Sequence, residues 1–325
     1  MSTPAAIDRA ALERRPPEVD FEPFERKPFD IFFLDVGGHR FVGHKREATL
    51  RTGGPEPLKM KCCLVEASML LGLFVREQLT QEGISVFYRP MSLEERQAVF
   101  AAFTADARND LYYPYTHLVA GTREERTAPP EYWKPTPRQM QHLDAGEVVL
   151  REHTLRVLTG LGITRGTVYD PACSTGEFLG SLKAALPGLR TVAQDLSPEM
   201  VEVARGRVDE IHVGDAWDSP VPPGSMDVVF FRLLNFDVMT TRRAHELLPR
   251  VANRCRDGGR LIVFGHTPVL VGAPFFERLG LTVERCSASE DHGRVAFQYY
   301  VLRKERPLPV VGPLWSDALA ARASG

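Results

Sequence analysis

The sequence has few cysteines, and none of them is spaced as metal ligands are. The five cysteines are scattered along 325 residues: Cys62, Cys63, Cys173, Cys255 and Cys286. Two adjacent cysteines such as Cys62 and Cys63 rarely bind one ion together. We therefore expect reduced thiols, no bound metal and a cytoplasmic protein, because disulfides persist in oxidising compartments.

The sequence also lacks an excess of charge of either sign. Its formal net charge is −2, with 40 Lys and Arg against 42 Asp and Glu. A chain of this kind has no basic excess to hold a phosphate backbone, so we expect no nucleic-acid partner.

Long hydrophobic runs are missing as well. The N-terminus has no apolar core of the kind found in secretory signals. The most apolar stretch, Cys62–Val75, contains Glu66 and is too short to span a bilayer. We therefore expect no membrane partner.

The first half of the chain predicts an α+β region. Met1–Lys27 is charged and rich in proline, which indicates either a disordered tail or a lid. The predicted elements after it are a hairpin over 30–44 around Gly37-Gly38, a helix over 58–81, a strand over 84–88, a capped helix over 92–107 and a helix from 136 to about 160.

Strands and helices alternate after Gly160. The predicted strands are 167–170, 190–196, 211–216, 227–231, 258–265, 281–288 and 294–303, and the predicted helices are 177–186, 198–207 and 241–255. This alternation is typical of an α/β fold with a mostly parallel sheet and helices on both faces. We place boundaries at 1–28 for the tail or lid, 29–150 for a cap or substrate region, 151–306 for the α/β domain and 307–325 for a C-terminal tail.

One segment carries most of the functional information. Thr167–Leu179 reads as a short strand, an acid, a turn of small residues and a helix start, which presents backbone N–H groups to a ligand. Asp195 ends the next strand, 19 residues after Gly176. An acid at about this distance binds ribose hydroxyls in dinucleotide folds. Acids also lie at Asp215 and Asp227, beside the third and fourth strands.

These motifs, in this order, resemble the class I S-adenosylmethionine (SAM) dependent methyltransferases. The glycine-rich turn of that family appears here as Ala172, Ser174 and Gly176, so two of its three glycines are replaced by other small residues. The resemblance implies a seven-stranded, mostly parallel sheet with one antiparallel strand at its edge, and SAM as cofactor. It implies that the cofactor-binding residues are Asp170, Ala172, Ser174, Gly176, Asp195, Leu196, Asp215, Ala216 and Arg232.

Candidate catalytic residues follow the fourth and fifth strands. Asn235 and Asp237 could bind or deprotonate an amine or a hydroxyl, or they could cap the next helix. His266 could act as a general base or bond to backbone at the strand end. In the aromatic run Tyr112–His117, Tyr115 could face the sulfonium cation or the substrate, or the run could pack in a seam between domains.

Three classes of function are compatible with these residues. The first is methyl transfer to a small molecule. The second is attack at the aminobutyrate carbon with release of methylthioadenosine, because several segments resemble azetidine-2-carboxylate synthases, which cyclise SAM. The third is a SAM-binding scaffold without activity. Adenine-N6 methylation of nucleic acid is disfavoured, because Asn235-Phe236-Asp237 lacks the prolines of that family's motif.

Overall fold

The structure is a computed structural model that describes most of the chain. It describes residues 8–23, 30–46, 48–50, 58–60, 63–115, 125, 127–129, 133–134, 136, 140, 144 and 147–309, with the backbone alone at 48–50 and 58–60. The chain divides into two compact units. The N-terminal unit comprises Met1–Arg126, Thr267–Gly272 and Arg285–Tyr299, and the C-terminal unit comprises Thr127–His266, Ala273–Glu284 and Tyr300–Gly325.

The main feature of the N-terminal unit is an antiparallel sheet. Its strands are β1 (Glu18–Pro23), β2 (Ile31–Val36), β3 (His39–His44), β7 (Leu70–Leu79), β8 (Gly83–Pro90) and β9 (Asp110–Tyr112). They pair in the order β1-β8-β7-β3-β2-β9. The short strands β4 (Ala48–Leu50) and β5 (Leu58–Met60) pair with each other. The predicted hairpin is confirmed, since β2 and β3 meet at Gly37 and Gly38, both at positive φ.

The helices of the N-terminal unit are α1 (Arg9–Arg14) and α2 (Leu93–Ala105). Ser92 accepts a hydrogen bond from the Glu95 N–H, and the Glu95 side chain accepts one from the Ser92 N–H. The capping box predicted at the start of α2 is therefore confirmed, and it satisfies two N–H groups that a helix end leaves unpaired.

The second sheet contains the parallel strands of the C-terminal unit, and it also includes residues 65–66, 285–290 and 295–299 of the N-terminal unit. Its strands are β6 (Val65–Glu66), β10 (Arg165–Asp170), β11 (Gly188–Asp195), β12 (Glu210–Val213), β13 (Met226–Phe231), β14 (Cys255–Val263), β15 (Thr282–Glu290) and β16 (Val295–Arg303). Seven of them follow the order β12-β11-β10-β13-β14-β16-β15, and β6 pairs with β16. The pairs from β12 to β14 are parallel, whereas β16 runs antiparallel to β14.

Along the sequence, the helices of the C-terminal unit alternate with its strands, as predicted. They are α3 (Val148–Gly160), α4 (Glu177–Ala185), α5 (Pro198–Ala204), α6 (Thr241–Ala252) and α7 (Ala273–Arg278). Strand β13 is buried along nearly its whole length, which explains its unbroken apolar sequence. Burial of successive side chains along such a strand is expected when helices cover both faces of the sheet.

Three predictions about the fold need correction. The sheet is mixed and has eight strands among the described residues, because β6 joins the expected seven. The predicted helix Leu58–Gln81 is wrong: the segment forms β5, β6 and β7 with a 3₁₀ turn at Ala67–Met69. A disordered tail over Met1–Lys27 is wrong for residues 8–23, which form α1 and the edge strand β1.

Candidate functional site

The carboxyl ends of the parallel strands bring most of the predicted site residues to one edge of the sheet. Asp170 ends β10 and Asp195 ends β11, while Asp215 follows β12. Arg232 follows β13, and His266 comes three residues after β14. Because the carboxyl ends of parallel strands face the same way, ligands of open α/β sheets bind in the crevice outside this edge.

The turn after β10 is tight because two of its residues adopt left-handed backbone conformations. Ser174 has φ +54° and Gly176 has φ +74°. A Cβ atom on Gly176 would lie 2.7 Å from the Cβ of Ala204, so α5 approaches this backbone closely. Glycine suits this position for both reasons, whereas Ser174 adopts a conformation that non-glycine residues rarely take.

Asp195 holds this turn in place. Its Oδ2 accepts a hydrogen bond from the Ser174 N–H at 2.8 Å, and its Oδ1 accepts one from the Ser197 N–H at 3.0 Å. Burial raises the pKa of Asp195, and the two backbone donors oppose that rise. A carboxylate offers about four lone-pair sites. Asp195 can therefore accept two further hydrogen bonds from a ligand while it holds the turn.

A buried ionic triad lies beside the turn. The Arg232 Nη1 donates to the Asp170 Oδ2 at 2.7 Å, and its Nη2 donates to the Glu147 carboxylate. The Arg232 side chain is 8% exposed and that of Asp170 is fully buried. The guanidinium also lies 4.6 Å from the centre of the Phe178 ring.

Burial and ion pairing act in opposite directions on the pKa values of Arg232 and Asp170. Burial by itself would lower the pKa of Arg232, but Glu147 and Asp170 outweigh it and the pKa is raised. Burial raises the pKa of Asp170, and the charge of Arg232 opposes that rise. Two carboxyl groups and one guanidinium lie near the Ser174–Gly176 turn, so the acidic groups outnumber the basic one there.

Glu147 is a site residue that the sequence reasoning missed. It immediately precedes α3 and lies 85 positions before Arg232, outside every recognised motif. Arg232 was predicted as a cofactor contact from its place after the fourth strand. The structure shows instead its bonds to Asp170 and Glu147, and a direct contact with cofactor stays a prediction.

The part of the site predicted to bind adenine is more exposed to solvent than the triad. The Asp215 Oδ1 accepts a hydrogen bond from the Trp217 N–H at 2.8 Å, and its Oδ2 lies 3.3 Å from the Arg243 Nη2. Leu196 is 69% exposed although it is a large apolar residue, whereas Ala216 is buried. An exposed leucine next to Asp195 offers an apolar face to a planar ring.

Asn235 is buried and supports its own turn. Its Nδ2 donates to the Arg232 carbonyl at 3.0 Å, and its Oδ1 accepts from the Asp237 N–H at 3.2 Å and the Val238 N–H at 3.3 Å. The Asp237 carbonyl accepts a hydrogen bond from the Ala128 N–H. These bonds fix the backbone after β13, and the catalytic roles of Asn235 and Asp237 stay predictions.

The two remaining catalytic candidates belong to different units. His266 is half-buried and lies in the C-terminal unit. Tyr115 is buried in the core of the N-terminal unit with Phe33 and Tyr88, and its hydroxyl donates to the Glu77 carboxylate. Core packing accounts for Tyr115 within its own unit, and its role toward a substrate stays a prediction. Residues 116 and 117 of the aromatic run lie outside the described residues.

The N-terminal unit buries a second cluster of acids. Glu22 is 4% exposed, and its two carboxylate oxygens lie 3.1 and 3.3 Å from the Asp30 N–H nitrogen. The His44 Nδ1 lies 2.8 Å from the Asp20 Oδ2. Burial raises the pKa of Glu22 to about 7, and the bond with Asp20 raises the pKa of His44.

Three residues of this cluster are arranged so that they could bind a metal ion, although the sequence predicts none. Ligand atoms of Glu22, Asp30 and His44 lie within 4.8 Å of one another, a spacing that could hold an ion. Among the residues that the structure describes, nothing else points to an ion at this place, and the absence of a metal stays a prediction. Among the described helices, none combines the length and the apolar character needed to cross a membrane.

Comparison with solved structures finds chains of similar fold. A SAM-dependent methyltransferase from Aquifex aeolicus matches at 20% identity and a TM-score of 0.39, over 52% of this chain and 100% of its own. An O-methyltransferase family protein from Burkholderia thailandensis matches at 22% identity and a TM-score of 0.40, over 52% of this chain and 60% of its own.

Comparison of sequences is more decisive. The profile of a methyltransferase domain family matches residues 168–259, which span β10 to β14. Isonocardicin synthase from Nocardia uniformis is 46% identical over 284 residues, which cover 86% of this chain and 93% of that protein. The protein is thus a SAM-dependent enzyme with a methyltransferase domain, and the chain belongs to the family that contains isonocardicin synthase.

Proposed function

We propose that this protein transfers an alkyl group from SAM to a small molecule, and that methyl transfer to a nitrogen or oxygen acceptor is its first candidate reaction. The observation that carries the proposal is the bond between Asp195 and the left-handed Ser174–Gly176 turn. This arrangement joins a ribose acceptor to a backbone that can approach a ligand closely.

The residues at this edge fit the three parts of SAM. The backbone around Ser174 would hold the methionine part, next to the triad of Asp170, Arg232 and Glu147. Asp195 has lone pairs left for the ribose hydroxyls. Leu196 offers an exposed apolar face to the adenine ring.

When bound, SAM supplies an electrophilic carbon on a positively charged sulfur. The chain's own residues would orient the acceptor and take its proton. Asp237 and His266 follow adjacent strands in the C-terminal unit and are the candidate proton acceptors. Asn235 is fixed by three hydrogen bonds and keeps this backbone in one conformation.

A small-molecule acceptor agrees with the charge of the chain. The net charge of −2 gives no electrostatic attraction for a polynucleotide. A relative named for making isonocardicin supports an acceptor from secondary metabolism.

Attack at the aminobutyrate carbon is the second candidate, favoured by two observations. The relative is named as a synthase of its product rather than as a methyltransferase. The triad of Glu147, Arg232 and Asp170 lies beside the turn that would hold the methionine part, so the aminobutyrate chain would have a rigid charged neighbour. Attack at this carbon, by an external acceptor or by the α-amine of SAM itself, releases methylthioadenosine.

Identification of the nucleoside product tests both candidates. The protein is incubated with SAM alone and with a panel of phenols and amines, beside an Asp195→Ala variant. S-adenosylhomocysteine formed only with an acceptor supports methyl transfer, and methylthioadenosine above the uncatalysed rate supports the second candidate. The variant should form less of either product. Failure of the wild-type protein to bind SAM would overturn the whole proposal.

A further inference from the structure

Arg254 in the C-terminal unit is a half-buried cation without a counter-ion. Its Nε is inaccessible to solvent and makes no hydrogen bond. Within the described residues its guanidinium forms no ion pair or side-chain hydrogen bond, whereas Arg256 and Arg260 nearby each pair with a carboxylate. A partly buried charge without a partner is costly, so this position needs an explanation.

Arg254 lines a cavity of about 610 Å³. The cavity is also lined by Trp217, Pro223, Arg250, Asp257, Lys304 and Pro307. Its volume is within the range of sites for small molecules. It is formed entirely by residues of the C-terminal unit and includes none of the residues predicted to bind SAM.

The charges of the cavity do not balance. Lys304 and Asp257 form an ion pair and cancel each other. Arg250 lies 4.1 Å from the centre of the Trp217 ring and has no carboxylate partner in the part of the chain that the structure describes. Arg250 and Arg254 therefore leave two positive charges in the cavity of a chain whose net charge is −2.

The walls of the cavity are rigid and partly apolar. Trp217 has Arg243 at 3.9 Å from its ring centre in addition to Arg250, so two cations hold the indole. The Asn253 side chain donates to the Leu308 carbonyl and accepts from the Leu308 N–H, which fixes the segment next to Pro307. A flat apolar group can lie along these walls while a charged group meets the arginines.

We infer that this cavity binds a small organic dianion, in which a phosphate or a pair of carboxylates meets Arg250 and Arg254 and an apolar ring lies against Trp217 and the prolines. Arginine suits this role because its planar guanidinium binds both kinds of oxyanion in a bidentate manner. Such a ligand would supply the counter-charge that Arg254 lacks. The inference does not depend on the proposed transfer reaction.

Calorimetric titration of the full chain with phenyl phosphate tests the inference. Benzyl alcohol serves as a neutral probe of similar size, and isophthalate separates recognition of carboxylates from recognition of phosphate. The key variant is Arg254→Met, with Arg254→Lys to retain the charge. Arg205→Met is the matched control, because Arg205 is an exposed arginine that pairs with Glu202 outside the cavity.

We expect saturable binding of phenyl phosphate or isophthalate and none of benzyl alcohol. Arg254→Met should weaken binding about tenfold or more, as expected for loss of a charged hydrogen bond, while Arg254→Lys loses less and Arg205→Met loses nothing. Thermal unfolding of each variant confirms that it is folded. Absence of binding of either anion to the wild-type chain, or equal binding to Arg254→Met, would overturn the inference.

Discussion

In the C-terminal unit, the buried Asp170 and the half-buried Glu147 lie against an arginine, whereas in the N-terminal unit Glu22 and Asp30 are buried beside a histidine. Asp170 and Glu147 share the guanidinium of Arg232. Among the described residues, Glu22 receives hydrogen bonds from the Asp30 backbone N–H and lies in a cluster whose imidazole is His44.

This difference determines how each unit responds to pH. A guanidinium stays charged at every pH that a folded protein meets, so Arg232 remains a cation beside Asp170 and Glu147. An imidazole and a buried carboxyl with a pKa of about 7 change charge near neutrality. The N-terminal cluster should therefore change charge near neutrality, where Arg232 does not.

The largest effect is expected when the triad is broken. Asp170→Asn keeps the shape of the side chain but leaves Arg232 with one carboxylate, and loss of one partner of a buried ion pair costs about 3–5 kcal/mol. Chemical denaturation measures this loss. The exposed pair Arg205–Glu202 provides the control, since Glu202→Gln should leave stability nearly unchanged. Equal losses in the two variants would contradict the importance of the triad.

The next largest loss of stability is expected at one of two glycines with positive φ, one from each unit. Gly176→Ala forces a left-handed alanine and brings a Cβ atom within 2.7 Å of the Ala204 Cβ. Gly38→Ala in the N-terminal hairpin imposes the same backbone conformation with nothing within 4 Å. Gly38→Ala should cost about 1–2 kcal/mol, and Gly176→Ala should cost about 1–3 kcal/mol more because of overpacking.

Urea denaturation of both glycine variants provides the comparison. Gly176→Ala should in addition weaken SAM binding, because the turn shifts, whereas Gly38→Ala should leave SAM binding unchanged. If the two variants lose equal stability, the close packing of α5 against the turn does not explain why residue 176 is glycine.

The pH dependence of stability is the smallest of the three effects. Because the pKa of Glu22 is raised from 4.5 to about 7, the folded state binds more protons than the unfolded state in this window. Stability should therefore fall as the pH rises from 4.5 through 7, by at most about 3 kcal/mol. The raised pKa of His44 acts in the same direction, since its contribution is lost as the pH rises through the folded value.

Glu22→Gln removes a titrating carboxyl group of this cluster and should flatten the slope of stability against pH. Denaturation of the wild-type and variant proteins at a series of pH values measures it. Asp106→Asn, which alters an exposed carboxylate in the same unit, should leave the slope nearly unchanged. A wild-type stability that rises with pH across the window would contradict the account of this cluster.

The sequence predicted the C-terminal unit well because its signals are local. A buried strand such as β13 reads as an unbroken apolar run, and Ser197-Pro198 marks a helix start that the structure confirms. The positions of Asp170 and Asp195 follow from the strands that they end. Local patterns therefore sufficed to place the edge at which the proposed site lies.

The N-terminal unit was predicted less well because apolar runs do not distinguish helices from buried strands. The segment 58–81 has the composition of an apolar helix, yet at Gly72 a Cβ atom would lie 1.9 Å from the Arg89 carbonyl oxygen. Close pairing of β7 with β8 at this glycine decides the conformation, and no local pattern reveals it.

Glu147 shows a second kind of limit. Its partner Arg232 is 85 positions away, and the two meet only because α3 begins beside the end of β13. A single sequence gives no sign of such a pair. An arginine predicted to bind a ligand, such as Arg232, can therefore form ion pairs with acids far away in the sequence. Arg254 has no such partner among the described residues.

Calorimetric titration of SAM into the wild-type chain, Asp195→Ala and the control Asp106→Ala tests the central claim most directly. We predict that Asp195→Ala weakens SAM binding by about 2–3 kcal/mol, because it removes ribose acceptors and the support of the turn, and that Asp106→Ala leaves it unchanged. Equal affinity of the wild-type chain and Asp195→Ala would contradict the assignment of this edge as the SAM site.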